Sequence, residues 1–445
     1  MDSRKTWERY VAGQLADEHV KGRIGRRDLL KRAGALGITV PVLSSALGAR
    51  GAIAQDATPA AGDDVQLGNH EGQTLRVSVA LAEAEVPVFE DVVSGFEEAT
   101  GGTVEIVNIE AQDMVRTLQA QVESGNVQVD LLVQDNNSLA PLVSGELVEE
   151  IPDAEEIMPS ATIEALKEVL QFDGTYYFLP ARPNVQITFY NSARFNDYGV
   201  ETPTTWDDLL SVGQTIQEQA GVGQVSIQGA SGGPVGVTVT QFLWQAGGDP
   251  LEINTEEGQQ AFQFMQDLKP YLTPQYPTAD FNTTNTFFLN QSVVLAQNWP
   301  YGMIVVVDEG GQTDVLAYTG WEGPAGNVLV LGGDVFGIAS GTQNREMALD
   351  FARHWMTLPV QEELTARNGW ASMRSDALGQ VEEWQQPYFE TVTEALELTR
   401  PRPNVTYWTD VENILTNAFN DIVTSESDVA ETLDRYQEEI NGLTG

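Results

Sequence analysis

The 445-residue chain contains no cysteine. This excludes disulfides, thiolate metal sites, a cysteine nucleophile and a lipid anchor built on a cysteine at the cleavage point. Histidine is nearly absent too, with only His19, His70 and His354. The first two fall in a leader and a spacer and the third in a helical run, Ala348 to Met356, so neither a zinc cluster nor a histidine triad is expected. Positive charge is scarce, with 23 Lys and Arg against 65 Asp and Glu, a net charge of −42. There is no glycine-rich loop ending in lysine to cradle a phosphate. Carboxylates are abundant enough to make a glycosidase pair, but they are spaced as solvated faces. The chain is therefore read as a non-enzyme with no catalytic residue, no metal and no cofactor.

What the N-terminus does have is an arginine pair. Arg26-Arg27 sits in Gly25-Arg26-Arg27-Asp28-Leu29-Leu30-Lys31, ahead of the uncharged stretch Ala33 to Ala49 and the small-x-small site Ala52-Ile53-Ala54. That order reads as a twin-arginine secretory signal over 1–54, a route that carries folded proteins. The uncharged stretch is too short, and too rich in Gly, Pro and Ser, for a spanning helix of about 20 residues. The expected location is the outer face of the cytoplasmic membrane, extracellular or periplasmic, without a cysteine-linked lipid.

Residues 1–54 carry 10 basic and 5 acidic residues, leaving 13 basic and 60 acidic in the remainder, a net −47. Lys167 and Lys269 are the only lysines left. Such a field repels nucleic acid and anionic membrane surfaces, so neither is an expected partner. It suits a saline habitat, where salt screens self-repulsion.

Residues 55–73 are rich in Ala, Asp, Gly and Pro and read as a flexible spacer. The roughly 370 residues that follow exceed what one core usually serves. Leu75 to Ala80, Val104 to Val107 and Asp130 to Val133 read as strands, and Val86 to Ala99 and Met114 to Glu123 as amphipathic helices. The alternation predicts an α/β fold with a mainly parallel sheet.

Further along, segments recur in a telling order. Phe172 to Pro180, Asn184 and Phe189-Tyr190-Asn191 come first, then Pro203 to Leu209 and Phe242 to Asp249. Val294 to Tyr301, Leu331-Gly332-Gly333-Asp334, a helix over Arg345 to Met356 and Arg367-Asn368-Gly369-Trp370 follow. From about Thr74 to the C-terminus the chain resembles the extracellular solute-binding proteins of ABC importers, in the carbohydrate-binding family that includes maltose- and trehalose/maltose-binding proteins. It departs where that family often has a proline and this chain has Ser372.

The resemblance implies a two-lobe, periplasmic-binding-protein-like fold with discontinuous lobes and a hinged cleft. Residues 74–182 with 328–378 would form lobe 1, and 183–327 with 379–445 lobe 2. Pro180 and Pro183, followed by an extended apolar run to Asn191, agree with a crossover there. The implied function is capture of a sugar or oligosaccharide and its delivery, by a monomer, to the membrane subunits of an ABC permease. Alternatives are another small solute (a polyol, a glycerol phosphate, a polyamine) or a secreted carboxylate-dependent glycoside hydrolase.

Carried onto this sequence, the implied ligand positions are Asp135, Asn136 and Asn137 after a strand, Arg182 and Asn184 on the crossover, and Trp299 and Tyr301 as stacking aromatics. Asp334 stands where relatives often place an aromatic, implying a more polar pocket. Trp370, and Tyr407 and Trp408 on the rim, complete the set. Aromatic faces for pyranose C–H groups and amide or charged edges for hydroxyls suit a sugar. Trp206 and Trp244 read as core, and Arg374 as a lobe salt bridge.

Overall fold

Two β-sheets, each covered by its own helices, organise a computed structural model that describes residues 65–79, 85–107, 109, 113–378 and 380–444. The arginine pair and the rest of 1–64 lie outside the described residues. Of the expected spacer 55–73, residues 65–73 are described, and they are held at Gly68 and His70. The backbone N–H of Gly68 and His70 Nε2 both meet Asp350 Oδ2 at 2.8 Å, and His70 is buried against Phe96. His70 thus anchors the first described segment to the helix Arg345–Trp355 that carries Asp350.

The strands, in chain order, are β1 (Thr74–Ser78), β2 (Thr103–Val107), β3 (Leu131–Asp135), β4 (Gln171–Phe172), β5 (Thr175–Tyr176), β6 (Phe178–Val185), β7 (Ile187–Asn191), β8 (Val225–Ser226), β9 (Leu295–Asn298), β10 (Val315–Tyr318), β11 (Leu329–Ile338) and β12 (Thr399–Pro401). In the larger sheet β1 lies between β2 and β3, parallel to both. The long β11 is its hub, antiparallel to β3 along one edge and to β6 along the other, with β12 parallel beside its first three residues. The sheet therefore also takes three residues from the 379–445 stretch assigned above to the second lobe. The smaller sheet has the order β10-β7-β9-β8. The pair β4–β5 forms a separate hairpin whose Asp173-Gly174 turn has positive φ at both residues.

Local chemistry explains the frame. The helix Val86–Thr100 buries Val88, Phe89, Val92, Val93 and Phe96, one stripe at helical spacing, and ends where left-handed Gly101 donates its N–H to Glu97 O. The helix Trp206–Ala220 opens with a capping box between Thr205 and Asp208. Along β7, Ile187 and Phe189 face one core while Tyr190 packs against the other, the period-two alternation of a strand between two layers.

One core fills the larger sheet and runs on to one face of the smaller sheet through Phe189, Phe288, Met303 and Val315. The second core lies on the opposite face of the smaller sheet, under the helices that begin at Trp206, Glu256 and Trp408. The chain passes between sheets three times: at Gln186 between β6 and β7, between β10 and β11, and after β12. Trp206 and Trp244 are buried, as the sequence suggests. Arg374 pairs with Asp376 at 2.8 Å.

Candidate functional site

Between the two sheets lies a cavity of about 500 Å³. The C-terminal end of β3 supplies Asp135 and the turn after it, where parallel sheets leave room for ligands. Asp135 Oδ1 accepts the Asn137 N–H at 2.9 Å, which caps the short turn Asn136–Ser138. The same oxygen accepts Arg402 Nη2 at 2.8 Å.

Across the sheet the register makes a row. Arg182 on β6, Asp334 on β11 and Asp135 on β3 are direct cross-strand neighbours. Arg182 Nε donates to Asp334 Oδ2 at 2.6 Å and Nη1 to Glu85 Oε1 at 3.1 Å. Glu85 Oε1 also accepts Trp370 Nε1 at 2.6 Å, and the Arg182 guanidinium lies 4.2 Å over the Trp370 ring. Burial works against the charge on Arg182, but the Asp334 and Glu85 carboxylates outweigh it and hold its pKa above the ordinary value. For Asp334 burial dominates. It raises the carboxyl, Arg182 pulls it back and the Asp135 charge opposite raises it again, for a net upward shift.

Gly332-Gly333, which reads in sequence as a turn, lies inside β11. Gly333 has φ +110° and an added Cβ would stand 2.2 Å from Arg182 O, so only glycine lets the strands approach there. The register shifts between Asp334 and Val335, a bulge that sits beside the Asp334 side chain.

The opposite wall comes from the smaller sheet. β9 ends at fully buried Asn298, whose Nδ2 donates to Phe281 O at 3.0 Å and Asn285 Oδ1 at 2.7 Å. Trp299-Pro300-Tyr301 follows and turns into the cavity. The Trp299 ring lies on Gly332, where an added Cβ would meet it at 2.8 Å. Tyr301 donates its hydroxyl to Asn282 Oδ1 at 3.1 Å. Burial pushes that hydroxyl's pKa well up, helped by the Glu85 and Asp280 charges, so it stays a neutral donor. Gln186, Gln228 and Asn298 form a buried amide chain with links of 3.0 and 3.1 Å, and Gln228 reaches the cavity.

Eight of the expected positions come together on this one cavity: Asp135, Asn137, Arg182, Asn184, Trp299, Tyr301, Asp334 and Trp370. Three do not. Asn136 sits behind the wall, donating to Leu331 O and accepting from Arg402 Nη2. Trp408 is a correction, because it is 1 % exposed in the second core, against the smaller sheet. It starts the helix Trp408–Phe419 and shares that helix's buried stripe with Val411, Leu415 and Phe419. Tyr407 is the residue ahead of that helix and packs on the same core, away from the cavity lining.

Glu85, Gln228, Phe281, Asn282 and Arg402 also line the cavity and were not anticipated. Arg402 follows β12 by one residue, and its place is set by pairing 70 residues away from β11. A weak sequence signal existed in Asp280-Phe281-Asn282, a helix cap followed by an aromatic. Ser372, where the resemblance fails, accepts the Arg374 N–H at 2.9 Å and donates to Gln361 Oε1 at 2.9 Å.

The profile of the bacterial extracellular solute-binding proteins matches residues 91–390. The chain belongs to that family. It is similar to the maltotriose-binding protein of Pyrococcus abyssi, 23% identical over 87% of this chain and 83% of the relative. It is also similar to the arabinooligosaccharide-binding protein of Halalkalibacterium halodurans, 25% identical over 86% of this chain and 92% of the relative. Among solved structures, maltose-bound T. maritima MalE3 superposes with a TM-score of 0.76 at 21% identity, covering 84% of this chain and all of that one. The fold is thus the two-lobe solute-binding one.

Proposed function

We propose that this chain is the extracytoplasmic substrate-binding component of an ABC importer, capturing a sugar or oligosaccharide in the cleft between its sheets. The observation that carries this reading is the pairing of two unlike walls across one cavity. Trp299, Tyr301 and Phe281 offer flat apolar faces for pyranose C–H groups. Asn137, Asn184, Arg182 and Asp334 offer amides and charges for hydroxyls on the other side. The names of the relatives, oligosaccharide binders both, point the same way.

In this reading the larger sheet anchors lobe 1 (74–182 and 328–378, with β12 added) and the smaller sheet lobe 2. Closure about Gln186 and the two other crossings traps the ligand, and a permease recognises the closed form. The protein acts as a monomer, reaches the outer membrane face by the twin-arginine route and is held there without a cysteine-linked lipid. It catalyses nothing.

Thermal unfolding with a panel of mono- and oligosaccharides is the test. A sugar that binds the folded state raises Tm by mass action and is recovered unchanged. Release of a shorter sugar would show a hydrolase, and a Tm unmoved by every sugar would end the reading.

A further inference from the structure

The charged wall of the cleft is a ladder with one wrong step. Glu85, Arg182, Asp334, Asp135, Arg402 and Glu412 form a row of neighbours, and the signs alternate except at the centre. Glu85 and Asp334 hold Arg182 at 3.1 and 2.6 Å. Asp135 and Glu412 hold Arg402 at 2.8 and 3.5 Å. Asp334 and Asp135, however, are direct partners on antiparallel strands, like charges set opposite each other. Each has spent one oxygen on its arginine. Among the described residues, Asp334 Oδ1 and Asp135 Oδ2 receive no donor. Both residues line the cavity, and no lysine or histidine does.

We propose that the ligand of this cleft is an amino sugar, whose free ammonium group sits between Asp334 and Asp135 while its ring packs on Trp299 and Tyr301. The proposal rests on the sugar reading of the site and narrows it. An ammonium brings three donors and one positive charge to two unfilled acceptors of like sign. A hydroxyl also donates, but it leaves the repulsion in place, and closing the cleft over it strengthens that repulsion as water leaves. The upward shift of the Asp334 carboxyl has the Asp135 charge among its causes, and a cation relieves it. A metal ion fits less well, because no group of three or more carboxylates or histidines able to hold one occurs among the described residues. The ring hydroxyls have a use as well. Arg402 is nearly buried, lines the cavity and has no acceptor for its Nε, and a ring hydroxyl oxygen of the ligand would supply one.

Titration calorimetry on the purified protein tests this with a matched panel. Gluco- and galacto-configured mono-, di- and trisaccharides are each offered in hydroxyl, free 2-amino and N-acetylated forms, at a pH where the amine is charged. The free amine is expected to bind at least about ten-fold more tightly than both neutral forms, a difference of about 1.4 kcal/mol. Asp135→Asn, which keeps an oxygen for Arg402 and Asn137, should erase most of that preference, and so should Asp334→Asn. Thermal melts check that each variant folds. Hydroxyl forms binding as tightly as the amine, or a preference that survives in both variants, would overturn the proposal and leave the sugar reading standing. Failure of every form to bind would overturn both.

Discussion

The two walls of the cleft are built from different chemistry. Of the carboxylates and guanidiniums on the cavity, Asp135, Arg182 and Asp334 lie on strands of the larger sheet, Arg402 directly follows β12, and Glu85 precedes the helix Val86–Thr100. The wall from the smaller sheet offers Gln228, Val237, Phe281, Asn282, Trp299 and Tyr301, with no charge at all. The difference follows from how each wall is supported. On the larger sheet, cross-strand register brings Arg182 and Asp334 to 2.6 Å, Glu85 at the start of a helix adds a second contact to Arg182 at 3.1 Å, and a buried ion needs such partners. On the smaller one, a buried amide chain and a turn after β9 fix flat rings that need no counter-ion. One wall orients a ligand by polar contacts, and the other supplies its area.

Breaking the charged wall should have the largest effect. Arg182→Ala leaves Glu85 and Asp334 facing each other without a cation, and losing one partner of a buried pair costs roughly 3–5 kcal/mol. Melting curves should show that loss together with loss of sugar binding. If the uncharged wall is a ligand platform and not core, Trp299→Ala and Tyr301→Ala should weaken sugar binding by about 1–3 kcal/mol and lower Tm less than Arg182→Ala does. A large fall in Tm with affinity intact would assign these rings to packing instead.

Beyond the walls, the −47 charge outside residues 1–54 should make stability rise with salt, since screening falls from about 10 Å at 0.1 M to about 3 Å at 1 M. Tm should climb across that range while the affinity for a neutral sugar barely moves. A flat Tm would mean that the carboxylates are already too well separated to repel.

The smallest effect compares two aspartates near opposite ends of β3. Asp130 is buried, yet donors from Arg76 and Thr342 bring its carboxyl below the usual value of 3.8. Its contribution is present above pH 3.8 and is lost as pH falls through its lower folded value. Asp334, raised above 3.8, behaves oppositely: its contribution is complete below 3.8 and is lost as pH rises through its folded value. Stability against pH should therefore flatten at the acid end in Asp130→Asn and at the higher-pH side in Asp334→Asn. Identical profiles for the two variants would contradict these shifts.

Much of the fold was legible because it is local. The first three strands and two helices of the α/β frame declare themselves by periodicity, and each begins or ends within two residues of its expected place. The order of motifs also brought eight cavity residues into view. What stayed hidden depends on distant pairing. Nothing near Glu85 or Arg402 announces that strands β6, β11 and β3 will line them up. Gly332-Gly333 reads as a turn because a glycine pair usually is one, whereas here it lies inside β11 and lets that strand approach Arg182 O. The resemblance implies that Tyr407 and Trp408 lie on the rim, and only helix phase sends Trp408 into the core.

The central claim is that the two walls close on a ligand held between them, and small-angle scattering tests it most directly. With a sugar that raises Tm, the radius of gyration at saturation should be smaller than in the free protein. An unchanged radius, with binding confirmed in the same sample, would contradict the account.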